Sequence, residues 1–295
     1  LRIPAVTRNL IIVNLLCFLA MLALSNANVD LNSLFGLHFF LASDFHVYQL
    51  LTYLFMHGGW EHIILNMFML WMFGAVMERV WGPRRFMAYY LFCGVGAGLM
   101  QEIAQFVQFY VISSQSGFGL SQLLQVAAAN DSALGQWTTV GASGAIYALL
   151  LAFGMMFPEE RMFIIPIPIP IKAKWMVMGS IAVELFSALA SPGSQVAHLA
   201  HLGGMIFGFF LIRYWKRNPY GGSSHGGSRM FGNMRSRWEQ VKAKHKREEN
   251  PDWEYNARKK ATQEEVDSIL DKIRKSGYDS LTRDEKQRLF DQSKK

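Results

Sequence analysis

Residues 141–158 read Gly-Ala-Ser-Gly-Ala-Ile-Tyr-Ala-Leu-Leu-Leu-Ala-Phe-Gly-Met-Met-Phe-Pro, a run without a charged side chain. Its length and composition suit a helix in a bilayer, and Ser143 stands at its head between Gly141 and Gly144. Five further apolar blocks lie near 9–27, 60–78, 86–111, 175–191 and 196–215, the third interrupted by Gln101 and Glu102. The expected fold class is all-α: a polytopic bundle of six transmembrane helices carrying a soluble appendage.

Positive charge sets the expected orientation. Before Arg213 the basic residues are Arg2, Arg8, Arg79, Arg84, Arg85, Arg161, Lys172 and Lys174. All fall before the first block, between the second and third, or between the fourth and fifth, and the alternate loops at 28–59, 112–140 and 192–195 have none. Cytoplasmic loops retain Lys and Arg, so both termini of this integral, multi-pass chain are expected in the cytoplasm. The first block follows Arg8 with no small-residue cleavage site before the acidic loop, and it reads as a retained helix.

The net charge of +7 is unevenly placed, since residues 1–212 hold 8 basic and 9 acidic side chains while 213–295 hold 21 and 13. A basic juxtamembrane tail is expected to contact anionic lipid, and without stacking or groove-reading motifs no nucleic-acid partner is expected. The expected domains are a membrane domain at 1–215, a basic, Gly/Ser-containing linker at 216–261 and a small cytoplasmic helical hairpin at 262–295. Thr262 with Glu265 and Thr282 with Glu285 form capping boxes, Val266, Ile269, Leu270 and Ile273 recur at helical spacing, and Gly277 fits a helix end. The hairpin has no catalytic constellation and is a candidate dock for a cytoplasmic protein. Cys17 and Cys93 lie inside apolar blocks and imply no disulfide, and neither metal nor cofactor is expected.

The loops carry weaker signals. The first outer loop, rich in Leu34, Phe35, Leu37, Phe39 and Phe40, is expected to dip into the interface. In the second, only a short helix at 121–129 is legible. Pro166, Pro168 and Pro170 forbid helix and predict an extended linker at 164–174.

Depth connects the polar residues. Ser143 lies 16 residues before Glu159, His62 lies 16 before Glu78, and His201 lies 15 before Lys216. At a rise of about 1.5 Å per residue each sits about 23 Å above the inner boundary of a core ~30 Å thick. A serine hydroxyl needs a base within hydrogen-bond reach, and an imidazole serves as base and then acid, so His201 is the candidate base. His62 and Asn66, spaced i, i+4, can project with the Ser143 N–H toward one oxyanion position. Gly144 with Ala148, and Gly204 with Gly208, permit close approach of two helices. Tyr147, one turn below Ser143, can stack on His201. A packing explanation covers each residue taken singly; their joint occurrence points to chemistry.

These motifs resemble those of the rhomboid family of intramembrane serine proteases over residues 6–215. His57-Gly-Gly-Trp-Glu-His62-Ile-Ile-Leu-Asn66, Gly141-Ala142-Ser143-Gly144 and Ala197-His198-Leu-Ala-His201-Leu-Gly203-Gly204, continuing to Gly208, occur in the family's order. The resemblance implies Ser143 as nucleophile, His201 as base, His62 and Asn66 at the oxyanion site, and Tyr147 packed on the base. It further implies a dyad with no third carboxylate, His198 as a neighbour near the cavity mouth, His57 as a brace of the first outer loop, and Glu78-Arg79 as an acidic-basic pair. Glu102 and Glu184 read as structural or cavity-facing.

The implied activity is endoproteolysis of transmembrane substrates near their outer end, with the bacterial plasma (inner) membrane as the expected location. Two alternatives stay open: a proteolytically inactive rhomboid-like factor that binds membrane helices, and a transporter using His62, Asn66 and Glu184 as a polar path.

Overall fold

The computed structural model describes residues 3–164, 167–190, 195–217 and 267–293. Two compact units divide the chain, Leu1–Ser236 and Arg237–Lys295, and each is described by itself. The expected linker at 216–261 lies almost wholly outside the described residues, as does the Thr262–Glu265 box.

Among its described residues the first unit has the long helices α1 (Ala5–Ser25), α2 (Trp60–Trp81), α3 (Pro83–Gln115), α4 (Ser143–Met156), α5 (Ala173–Ala190) and α6 (Gln195–Arg217). Among the described residues, α1, α2 and α5 are long and apolar enough to cross a membrane, and α4 is apolar but shorter. The protein is thus an integral, multi-pass membrane protein. Broad apolar exposure on α1 and α5, including Leu16, Leu19, Phe186 and Leu189, fits helices with one side toward lipid.

Helix α1 begins where a carboxylate from α2 receives it. Glu78 Oε1 accepts from the Val6 N–H at 2.9 Å, and Oε2 accepts from the Thr7 N–H at 2.7 Å and its hydroxyl at 2.8 Å. Helix N-termini leave N–H groups without intrahelical partners, and a buried anion satisfies both the bonds and the dipole. The acidic member of the Glu78-Arg79 pair therefore serves as a cap. Gly82, with φ 82°, makes the turn between α2 and α3, and Pro83 occupies the first turn of α3, where a missing N–H costs nothing.

Helix α6 packs chiefly on α3 and α4. The contact requires glycine. A Cβ on Gly204 would lie 2.0 Å from the Gly144 carbonyl oxygen, one on Gly144 would lie 2.4 Å from Ala97 Cβ, and one on Gly208 would lie 2.3 Å from the Tyr89 hydroxyl. Tyr89 in turn donates to the Ala148 carbonyl at 2.8 Å. The backbones of α4 and α6 touch directly.

The long loops at 28–59 and 112–140 are folded and joined to each other. The first has short helices at Leu31–Phe35 and Gln49–Thr52, and its strand β1 (Leu37–His38) pairs antiparallel with β2 (Thr138–Thr139) of the second loop. His38 bridges the Gly135 and Ser33 carbonyls, the Ser43 hydroxyl and N–H both donate to Asp131, and Gln105 of α3 donates to the Trp137 carbonyl. Those Ser43 bonds hold the Asp131 carboxyl below its ordinary range. Phe39, Phe109, Leu123, Ala127 and Leu134 close a small apolar core beneath them. The expected helix at 121–129 is present as Leu123–Ala129 after a 3-10 turn.

On the other side, the proline-rich linker is extended, as the prolines dictate, but it does not run free. Strand β4 (Ile167–Lys172) folds back on β3 (Arg161–Ile164), pairing Met162 with Ile171 and Arg161 with Lys172. Alternate prolines share one strand edge, which leaves the intervening N–H groups to pair. Glu159 closes the hairpin's base through Lys172, at 2.7 Å, and Lys174, and these hold its carboxyl down to about 2.

In the second unit, residues 267–276 are helical and a second helix spans Arg283–Ser293. The capping box closes reciprocally: the Thr282 N–H donates to Glu285 Oε2 at 2.7 Å and the Glu285 N–H donates to the Thr282 hydroxyl at 3.3 Å. Lys272 adds an ion pair to Glu285 at 2.8 Å, and together these partners hold that carboxyl at about 2.

Two outcomes test these contacts. Gly204→Ala should lower thermal stability in detergent by about 3 kcal/mol, the upper range of overpacking, because both sides of the clash are helix backbone; an unchanged melting midpoint would contradict the contact. Glu285, depressed when folded, stabilises its unit above the ordinary carboxyl range, and that contribution is lost as pH falls from about 4 toward 2. An NMR titration of the full chain that placed Glu285 near 4 would contradict the capping geometry.

Candidate active site

The chain reaches Ser143 through a strained turn. Gly141 adopts φ 128°, a region closed to side chains, and its N–H donates to the Tyr53 carbonyl at 2.9 Å. Tyr53 is itself pinned, its buried hydroxyl donating to the Gly94 carbonyl at 2.6 Å. Ser143 then opens α4, so its backbone N–H is among those that a helix start leaves unspent.

Across the glycine contact, His201 Nε2 lies 2.8 Å from Ser143 Oγ. Tyr147 stacks on the His201 ring at a centroid distance of 4.3 Å and 9° between planes. Stacking of that kind fixes the ring plane, while Gly144 and Gly204 fix the distance between the two helices.

His62 enters from α2. The position that a Cβ would take on Gly141 lies 2.7 Å from His62 Nε2 and 3.7 Å from Ser143 Oγ, so the missing side chain leaves room for the imidazole beside the serine. The Gly58 N–H donates to His62 Nδ1 at 3.3 Å, which places the proton of the neutral ring on Nε2, facing the site. Asn66 lies on the same helix and is buried, but its amide donates to the His62 carbonyl at 2.9 Å, so part of it is spent on its own helix. His57 packs edge-on against His62 at 5.1 Å, and its carbonyl accepts a long bond of 3.5 Å from Asn32 of the first outer loop.

Two expectations need correction. Glu184 lies against His201: its Oε2 is 3.0 Å from His201 Nδ1 and 2.6 Å from His198 Nδ1, and the carboxylate also interacts with the Tyr147 hydroxyl. Glu184, read as structural or cavity-facing, thus lies beside His201, where the resemblance implied no third carboxylate, and His198, read as a neighbour near the cavity mouth, is its hydrogen-bond partner. The available signal was an ionisable residue in mid-span, which is costly and implies a named partner. Glu102, by contrast, accepts from the Phe40 N–H at 2.8 Å and lines an apolar hollow with Phe45, Leu99 and Phe207, which is both structural and cavity-facing.

The ligand atoms of Glu184, His198 and His201 lie within 4.8 Å of one another, a set that a zinc-class ion can use. Two donors on one tetrahedral zinc sit about 3.3 Å apart at ordinary bond lengths. A separation of 2.6 Å is instead a hydrogen-bond length, so the Glu184–His198 pair is hydrogen-bonded as placed.

The Rhomboid domain family model matches residues 44–218. The chain belongs to the rhomboid family. A second match, to a family of unknown function (DUF6576), covers residues 250–295. Among rhomboid relatives, the Bos taurus presenilin-associated rhomboid-like protein, mitochondrial, is 30% identical over 176 residues, 56% of this chain and 39% of its own length. The Arabidopsis thaliana rhomboid-like protein 11, chloroplastic, is 26% identical, covering 58% of this chain and 54% of the relative. The rhomboid protease AarA of Providencia stuartii is 26% identical, covering 53% and 51%. The chain thus spans about two fifths to one half of the length of these relatives.

Gly141 offers a direct test. Gly141→Ala demands an unfavourable φ and drives a methyl into the His62 ring, so it should lower stability in detergent by about 1–3 kcal/mol. A melting midpoint equal to that of the unmodified protein would show that His62 does not depend on this gap.

Proposed function

We propose that the chain is an intramembrane serine endopeptidase that cuts transmembrane segments of other membrane proteins near their outer end. The observation that carries this reading is the 2.8 Å approach of His201 Nε2 to Ser143 Oγ between two helices held in backbone contact.

In the first step Ser143 Oγ attacks the scissile carbonyl carbon as its proton passes to His201 Nε2. The oxyanion meets His62 Nε2–H, the Ser143 N–H at the start of α4, and the amide hydrogen that Asn66 does not spend on its own helix. His201 then gives its proton to the departing amine, and water repeats the sequence on the acyl-enzyme. A substrate helix hides its amides in internal bonds, so it must unwind locally, and helix-weakening residues near the cut are expected. Six spans with both termini cytoplasmic, in a bacterial plasma membrane, would put Ser143 below the outer face. The basic tail would then meet anionic inner-leaflet lipid or a cytoplasmic partner.

Ser143→Ala and His201→Ala should each abolish cleavage of a reconstituted membrane substrate and labelling by a fluorophosphonate. Cleavage that survives Ser143→Ala would end the assignment. His62→Ala and Asn66→Ala should lower kcat by about 10²-fold each, the usual loss for one oxyanion donor. Equal kcat for both variants and the unmodified enzyme would remove them from the site.

A further inference from the structure

We infer that Glu184 is a positioning residue for the base, and that His198 anchors it, so that the unit is a four-residue relay Ser143–His201–Glu184–His198. This rests on the reading of Ser143 and His201 as nucleophile and base.

The argument begins with what His201 needs. Its Nε2 must face the serine with a free lone pair, so in the neutral ring the proton sits on Nδ1. That edge of the ring faces Glu184 Oε2 at 3.0 Å. When the Ser143 proton arrives on Nε2, the ring becomes a cation in a low-dielectric setting, and a carboxylate at this distance stabilises it. The Nδ1 proton stays on nitrogen throughout.

Glu184 is itself held. Its side chain is only 5% exposed, and the same Oε2 accepts from His198 Nδ1 at 2.6 Å, the shorter of the two contacts. His198 and His201 lie one turn apart on α6, so one carboxylate oxygen from α5 ties two successive imidazoles of the neighbouring helix. A lone buried carboxylate would be costly in this position, whereas one with the His198 N–H, the nearby His201 ring and the Tyr147 hydroxyl around it is supported.

The contact to His201 is close but off the direction of its N–H, because the Tyr147 stack sets the ring plane. Contacts of this kind tighten as the reaction proceeds. The expected loss is therefore about 10²-fold, at the low end for acid-base elements, rather than the 10⁴-fold of a fully aligned triad.

The experiment uses the full-length enzyme in liposomes with a model transmembrane substrate. Glu184→Gln presents an amide N–H to one imidazole and forces the wrong tautomer, so kcat should fall about 10²-fold with KM within about twofold. His198→Phe removes only the anchor, and its kcat should fall less than that of Glu184→Gln. A Glu184→Gln kcat within about threefold of the unmodified enzyme would overturn the relay, and so would a raised KM at full kcat. Loss of activity in EDTA with recovery in zinc would also overturn it, since the cluster would then be a metal centre. Should Glu184→Gln not fold, Glu184→Asp keeps the charge but shortens its reach, and its kcat should fall with KM within about twofold; a kcat within about threefold of the unmodified enzyme is contrary evidence. Cleavage by Ser143→Ala would instead strike the underlying assignment of the nucleophile.

Discussion

Everything at the site depends on two helix backbones meeting without side chains between them. Where α4 and α6 cross, even a methyl group on Gly204 would enter the Gly144 carbonyl. That contact sets the separation of Ser143 and His201, and ordinary side-chain packing would hold the helices several ångströms further apart. The remaining small residues follow from it: Gly208 admits the Tyr89 hydroxyl, and Ala97 backs Gly144. Close packing is thus a condition of the chemistry as much as of the fold.

Polar groups in the apolar setting of the helices are managed by pairing. Glu78 is spent on the first turn of α1, Glu102 on the Phe40 N–H, and Glu184 on two imidazoles. Each carboxylate links helices or loops distant in sequence. Intramembrane carboxylates are costly when alone, so each doubles as a specific joint. In Glu184 this joint coincides with the reacting groups.

Much of this was legible in the sequence because it depends on local pattern. Apolar blocks located the long helices, and counting residues to the charged ends placed Ser143, His62 and His201 at one depth. Counting failed for Glu184: ten residues beyond Lys174, it falls about 8 Å below His201 by rise alone, and the tilt and offset of α5 that bring them together are tertiary. Asn66 sits on the predicted face, yet its amide turns to a carbonyl of its own helix, a rotamer choice that spacing does not fix. The second outer loop was opaque because its order comes from β1, His38 and Ser43, all about a hundred residues upstream.

That clasp has a mechanical meaning. Strand β2 ends two residues before Gly141, whose φ and bond to Tyr53 set the approach to Ser143, and Tyr53 belongs to the first outer loop. The two loops and the turn before the serine form one closed frame, joined at β1–β2 and again at Tyr53–Gly141. The first loop and the turn that carries Ser143 are therefore joined at two points, so neither can be displaced without pulling on the other.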